Sequence, residues 1–242
     1  ANAEGEWCVC IDCDDCINID TLNFYAKAIS VAHEYADFIF CDYADIYSNE
    51  VNIERRLNFS TMTYSADELL KLFYLRIIPI ISPSILVNKR FAVENNIHYP
   101  EGYSFSEDVY YIWHLILNCR SAVRINSECY NYIHHKLSTT TGSSPKKIIS
   151  GYKLFCEFDD ELKESDGRWN TDLSLILPRW VVGQLHLSTK MLTYKEFLEV
   201  EKILNENGSY KTYKQLKPFR VKAAGLLLNT SPFLFYYLLR LV

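Results

Sequence analysis

The segment from Trp7 to Asp15 constrains the fold of this chain more than any other. Residues 7–11 are apolar and favour an extended backbone, and Asp12, Asp14 and Asp15 follow directly. An apolar run that stops at acids predicts a buried strand with carboxylates at its end. Carboxylate oxygens are ligands that hard divalent cations prefer. The segment therefore predicts a cation site at a strand end, of the kind that usually holds the phosphates of a substrate.

The same strand predicts neighbours that the sequence does not supply. Residues 7–11 have the continuous apolar character of a strand covered on both faces, as in a parallel sheet. Only six residues precede it. We therefore expect the chain to be a fragment, or to lack the first strands of its sheet.

Charge is distributed unevenly along the 242 residues, a length that allows one large domain or two small ones. The net charge is −5, yet no Asp or Glu follows Glu206. The basic residues beyond that point are Lys211, Lys214, Lys217, Arg220, Lys222 and Arg240. An acidic body with a basic tail favours a tail that binds a surface over general binding of nucleic acid.

Eight cysteines raise the question of disulfides or metal. The length and the lack of a signal peptide favour a reducing cytoplasm over a secreted disulfide framework. Cys8, Cys10, Cys13 and Cys16 have spacings that could bind zinc or an iron-sulfur cluster. Cys8 and Cys10 share one face of an extended strand, however, where small thiols fill a core well. We favour the core and expect no metal on these thiols.

The first part of the chain predicts alternating helices and strands. We expect helices over residues 20–35, 65–74 and 107–118, with strands over 37–43 and 122–134 and a loop and strand over 77–87. The irregular stretch 44–63 predicts a hairpin or an excursion. Asp20 and Ser106 are candidate N-caps, and Ser65 with Glu68 forms a capping box. The first helix is expected to bury Leu22, Tyr25, Ala26, Ile29 and Ala32.

The second part predicts helices only. A loop rich in Ser, Thr and Gly spans residues 138–144, and later turns are predicted near Gly167, Thr193, Gly208 and Pro232. We therefore divide the chain into an α/β region, 1–142, and a helical region, 143–242.

A series of short motifs runs along residues 1–142 in a distinctive order. The motifs are Gly5-Glu6-Trp7, Ile11-Asp12-Cys13-Asp14-Asp15, Asn88-Lys89-Arg90, Glu94-Asn95-Asn96-Ile97, Tyr99-Pro100-Glu101-Gly102, Glu107-Asp108 and Tyr130-Asn131-Tyr132. Their joint order resembles the family 2 glycosyltransferases. The resemblance implies a partial GT-A fold, which is a Rossmann-like mixed sheet with helices. The first strands of that family, which contact the nucleotide, have no counterpart here.

The resemblance implies a metal-dependent site for a nucleotide-sugar donor. It assigns Asp12, Asp14 and Asp15 to Mn²⁺ or Mg²⁺. The family often places a basic or metal-binding side chain after a strand, where His134 and His135 lie, so His135 is a further candidate ligand. The chemistry agrees independently, since a divalent ion neutralises the charge that grows on a departing nucleoside diphosphate.

The resemblance also implies a base and further donor contacts. It assigns the base to Asp108, with Glu107 as its partner, and a carboxylate is the usual agent that takes a proton from an attacking hydroxyl. Alternatively, acids in the first turn of a helix simply complement its dipole. Lys136 and Ser138 could contact phosphate oxygens of the donor, or be ordinary loop residues.

The resulting hypothesis is an inverting glycosyltransferase of bacterial type that acts on a glycan or lipid-linked acceptor in cell-surface polysaccharide synthesis. Inversion is implied by the resemblance. One alternative is a phosphatase similar to the haloacid dehalogenases, although Cys16 stands where that family has Thr or Val. Another is a truncated or inactive glycosyltransferase-like protein that serves as a membrane assembly partner.

The C-terminal tail predicts a location. Residues 223–228 and 232–242 are apolar but interrupted, and neither reaches the roughly 20 residues of a spanning helix. Basic residues before an apolar aromatic segment are typical of an interfacial anchor. We expect a cytoplasmic protein at the inner face of the plasma membrane. The alternative is a terminal helix packed on the core or on a second subunit of a homo-oligomer.

Overall fold

The computed structural model describes residues 3–32, 35–47, 52–134, 144–164, 173–206 and 208–241. Contacts divide the chain into two units. The first comprises Ala1–Pro100 and Asp108–Lys136, and the second comprises Glu101–Glu107 and Leu137–Val242. In the described ranges, no helix has both the length and the apolar character needed to cross a membrane.

The first unit is a mixed sheet with helices, which confirms the predicted α/β class. Its described strands are β1 (Trp7–Val9), β2 (Cys16–Ile17), β3 (Phe38–Ile46), β4 (Thr61–Ser65), β5 (Ile85–Asn88) and β6 (Ser121–Ile133). Its helices are α1 (Thr21–Ala32), α2 (Ala66–Tyr74), α3 (Lys89–Glu94) and α4 (Glu107–Asn118). The strand order is β1-β5-β3-β6-β2, and β4 also pairs with β6. Only the β3–β6 pairing is parallel among these pairs.

The expectation that residues 7–11 form a strand covered on both faces is wrong. In the structure β1 ends at Val9, lies at one end of the strand order and pairs with β5 in an antiparallel arrangement. Cys8 within β1 is half-buried, and Cys10, which follows the end of the strand, is exposed. The proposed core role of Cys8 and Cys10 is therefore also wrong, and Cys13 is exposed and Cys16 half-buried.

The core of the first unit lies against the two faces of β3. Neighbouring residues of a strand face opposite sides, and here Phe38, Ile39, Phe40 and Cys41 are all fully buried. A fully buried Phe stabilises the fold by about 1.5–3 kcal/mol relative to an exposed one. The face of α1 that packs on the sheet comprises Phe24, Tyr25 and Ala28. Of the residues predicted for that face, Leu22 and Ala26 are exposed.

Local signals agree well with the structure. The capping box of Ser65 and Glu68 is present at the start of α2, and the predicted helix over residues 107–118 and strand over 122–134 correspond to α4 and β6. Where the structure describes the stretch 44–63, β4 pairs with β6 and not with β3, which favours the excursion over the hairpin. The sequence missed the short helix α3.

The second unit is helical, as predicted. Its helices are α5 (Pro145–Glu164), α6 (Ile176–Met191), α7 (Tyr194–Leu204), α8 (Phe219–Thr230) and α9 (Pro232–Arg240). Thr193 caps α7, Gly208 has a φ of +66°, and Pro232 opens α9, so three of the predicted turns are confirmed. The turn near Gly167 lies outside the described residues.

Candidate functional site

The acidic loop, residues 10–15, connects β1 to β2 and is anchored at its C-terminal end. The amide of Asp15 donates to the carbonyl of Asp12 at 3.2 Å, which closes a turn. One carboxylate oxygen of Asp15 accepts the Tyr130 hydroxyl at 2.5 Å, and the other accepts the Ile133 amide at 2.7 Å. Asp15 therefore ties the loop to β6.

The register of the sheet explains why Asp15 meets these partners. β2 pairs with β6 in an antiparallel arrangement that sets Cys16 opposite Asn131 and Ile17 opposite Tyr130. Asp15, the residue before β2, thus lies close to the last residues of β6. Tyr130 is fully buried, and burial together with the neighbouring Asp15 carboxylate raises the pKa of its hydroxyl. This hydroxyl remains a hydrogen-bond donor at neutral pH.

Negative charge accumulates at the loop. Partial desolvation by nearby protein atoms raises the pKa of the exposed Asp12 carboxyl, and the nearby carboxylates of Asp15, Asp14 and Asp108 raise it further. Asp108 is far from Asp12 in the sequence, yet its charge contributes to the raised pKa of Asp12. Mutual repulsion of this kind favours a proton or a cation in the cluster. Asp12 therefore lies within electrostatic range of Asp14, Asp15 and Asp108.

Asp108 lies in the first turn of α4, where it accepts the Val109 amide at 2.7 Å. The protein atoms around its carboxyl raise the pKa of Asp108, and this hydrogen bond opposes the rise. Glu107 is the first residue of the helix and is half-buried. Ser106, the expected N-cap, has a φ of +64°, and its hydroxyl accepts the Trp180 indole N–H at 3.3 Å.

Two stacked tyrosines lie beside the acidic loop. The rings of Tyr99 and Tyr111 are 4.3 Å apart and nearly parallel. Burial raises the pKa of Tyr99 to about 12, and Asp108 and Asp12 contribute to the rise. The sequence hypothesis assigned neither tyrosine a role at the site, because Tyr99 lies in a loop without a periodic pattern and Tyr111 is one of several apolar residues along α4. The motif around Tyr99 and Pro100 was the only hint.

His134 lies at the end of β6 and interacts with β3. Its Nε2 atom is 2.7 Å from a carboxylate oxygen of Asp45, and its ring stacks on Tyr47 at 4.1 Å. The other predicted donor or metal contacts, His135, Lys136 and Ser138, lie outside the described residues.

The described residues contain no group of three or more His, Cys, Asp or Glu side chains arranged to hold a metal ion. Asp12 and Asp14 are exposed carboxylates, and both oxygens of Asp15 already accept hydrogen bonds. Asp15 is thus committed to holding the loop in place.

Comparisons with known proteins yielded matches to solved structures. No family model matches the chain, and no curated protein matches it. Residues 1–349 of S. aureus TarS in complex with UDP-GlcNAc share 16% identity at a TM-score of 0.48, with 88% of this chain and 69% of that chain covered. The same region with UDP shares 16% identity at a TM-score of 0.45, with 88% and 68% covered. The same region of TarS without a ligand shares 14% identity at a TM-score of 0.42, with 88% of this chain and 68% of that chain covered.

Proposed function

We propose that this chain is part of a metal-dependent, inverting glycosyltransferase, which moves a sugar from a nucleotide-sugar donor to a glycan or lipid-linked acceptor. The observation that carries the proposal is that Asp108, at the start of α4, lies near enough to the acidic loop for its charge to raise the pKa of Asp12 together with the charges of Asp15 and Asp14. Sugar transfer needs acids that hold a divalent cation at the donor, and it needs a nearby acid that takes the proton from the acceptor hydroxyl. The family resemblance supports the same assignment and supplies the inverting stereochemistry.

The residues of the loop fit a divalent cation that a substrate helps to bind. Mg²⁺ sites at nucleotides often use one or two carboxylates, with phosphate oxygens and water completing the shell. Asp12 and Asp14 would hold the ion, and Asp15 would keep the loop in position through Tyr130 and Ile133. When bound, the ion would neutralise the charge of the leaving diphosphate.

Asp108 is the proposed general base. Its raised pKa makes it a stronger proton acceptor than an ordinary aspartate. The Val109 amide holds the carboxylate at 2.7 Å and so limits its orientations. Glu107 is the proposed partner at the same helix start.

Asp14→Asn provides the direct test of the metal site. Calorimetry with Mn²⁺ and UDP measures donor-type binding, and UDP and UDP-GlcNAc are useful probes because two of the TarS structures contain them. An amide is a poorer ligand for a hard cation than a carboxylate, so we expect Mn²⁺-dependent affinity to fall at least about tenfold. Asp67→Asn, an equally exposed acid in the first turn of α2, is the matched control.

Unchanged Mn²⁺-dependent affinity in Asp14→Asn would remove Asp14 from the metal site. If the unaltered chain binds neither Mn²⁺ nor UDP, the inactive assembly partner becomes the better account. Release of inorganic phosphate from simple phosphate esters, without sugar transfer, would favour the phosphatase alternative.

A further inference from the structure

The last two helices of the second unit expose an apolar surface, which we call the α8–α9 face. It comprises Phe219, Leu226, Leu234 and Leu238. Phe219 is 80% exposed, and the three leucines are nearly half exposed. Single exposed apolar residues are common, but several on two helices that contact each other favour an interaction surface. The spacing of Phe219 and Leu226 on α8, and of Leu234 and Leu238 on α9, places each pair on one side of its helix.

The opposite sides of the two helices are packed into the unit. Leu228, Phe235 and Tyr236 are buried, and the Tyr236 hydroxyl donates to the carbonyl of Leu192 at 2.8 Å. The Phe235 ring stacks on Phe197 of α7 at 6.0 Å. The tail is therefore folded against the helical core, and its outward face has a definite composition.

Basic residues accompany the α8–α9 face without acidic ones. Lys211, Lys214, Lys217, Arg220 and Lys222 are exposed, and residues 208–241 contain no Asp or Glu. Lys222 lies one turn from both Phe219 and Leu226, so charged and apolar groups share the same side of α8. Long basic side chains can keep their charge at a headgroup while their stems lie on apolar surface.

We propose that the α8–α9 face docks on an anionic lipid bilayer. The lysines and Arg220 would contact acidic headgroups, and Phe219 and the three leucines would enter the boundary between headgroups and acyl chains. This proposal is independent of the proposed function. A second copy of the chain is the less suitable occupant, because a symmetric interface would bring two identical basic surfaces together.

Vesicle flotation of the full chain tests the proposal. We expect it to float with vesicles of phosphatidylcholine and phosphatidylglycerol, and to bind pure phosphatidylcholine vesicles at least about tenfold more weakly. Raising the salt from about 0.1 M to about 1 M shortens the screening length from about 10 Å to about 3 Å. Binding to the anionic vesicles should then decrease, with an apolar contribution remaining.

Two combined variants separate the charged and apolar contributions. Changing Lys211, Lys214, Lys217 and Lys222 to Gln should lower the partition coefficient about a hundredfold or more, since each lysine near the surface contributes about fivefold. The control makes the same charge change at other exposed lysines, namely Lys71, Lys146, Lys195 and Lys202. It should leave flotation within about threefold of the unaltered chain.

The apolar variant changes Phe219, Leu226, Leu234 and Leu238 to Ser and should abolish the binding that survives high salt. Its control changes other exposed apolar residues of the first unit, namely Leu22, Val31, Ile77 and Val93. Circular dichroism confirms that each variant retains its helices.

Three outcomes would overturn the proposal: equal binding to neutral and anionic vesicles, equal losses in the variants and their controls, or no flotation at all. In the last case, sedimentation equilibrium of the chain and of the apolar variant decides whether a second copy covers the face.

Discussion

Replacing Tyr130 by Phe should destabilise the first unit by removing one anchor of the acidic loop. Tyr130 is fully buried, and its hydroxyl donates to Asp15 at 2.5 Å. Phe fills nearly the same volume, so the change removes a hydrogen bond with little change in packing. In the variant, Asp15 still accepts the hydrogen bond from the Ile133 amide, but its other carboxylate oxygen loses the hydrogen bond from the Tyr130 hydroxyl.

The expected cost follows from the charge of the acceptor. A hydrogen bond to an ionised group contributes about 1.5–3 kcal/mol, compared with about 1 kcal/mol for a neutral pair. Asp15 is only half-buried, so water can replace part of the lost donor. We therefore expect a loss of about 1.5 kcal/mol, which corresponds to a decrease in Tm of about 3–6 °C for a protein of this size.

Urea unfolding followed by circular dichroism measures this cost. Tyr132→Phe is the matched control, since it removes the same atom from the same strand without affecting Asp15. A double-mutant cycle with Asp15→Asn should give a coupling energy of at least about 1 kcal/mol between the two side chains. If Tyr130→Phe unfolds at the same urea concentration as Tyr132→Phe, the hydroxyl does not anchor the loop and the argument is refuted.

Further predictions concern the base and two points in the core. Asp108→Asn should lower turnover at least about a hundredfold with little change in donor affinity. Because burial raises the pKa of Asp108, activity of the unaltered enzyme should be lost as the pH falls through a value above the usual aspartate pKa of about 4; a pH profile of turnover checks this, and a lower acid limb would contradict it. Asp37 is buried and accepts both the amide (2.6 Å) and the guanidinium (2.8 Å) of Arg120, so Asp37→Ala should cost about 2 kcal/mol in urea unfolding. Arg120→Ala should cost less, because it keeps the backbone amide bond. In the second unit, a Cβ on Gly151 would lie 2.7 Å from the Phe105 ring and 3.2 Å from its carbonyl oxygen; Gly151→Ala should therefore cost about 1–3 kcal/mol, and an unchanged melting temperature would show that Phe105 yields.

The local elements of this chain could be predicted from sequence because their causes are local. A capping box joins residues three positions apart, so the pattern of Ser65 and Glu68 was sufficient to locate the start of α2. The apolar runs of β3 and β6 likewise indicated strands, and their helical neighbours indicated the α/β class. These signals need no knowledge of distant contacts. The short helix α3 escaped because it is too short for a helical period to be visible.

Pairing and burial depended on the tertiary structure. Residues 7–11 alone do not show where a strand ends or which strand it pairs with. In the structure β1 ends at Val9 beside β5, with Cys8 half-buried and Cys10 exposed. The same applies to the tail, where Phe235 and Phe219 look alike in sequence. Packing against α7 buries the first, while the second is exposed.

The sequence by itself determined which acids are available, and the tertiary structure decided which of them meet. Asp12, Asp14 and Asp15 stand together in any conformation, because they are neighbours in the chain. Asp108 joins them only because the fold brings the start of α4 close to the acidic loop, and Tyr130 reaches Asp15 only through the register of β2 with β6. Such contacts join residues far apart in the chain, and their free energy comes from burial and charge that exist only once the sheet has formed.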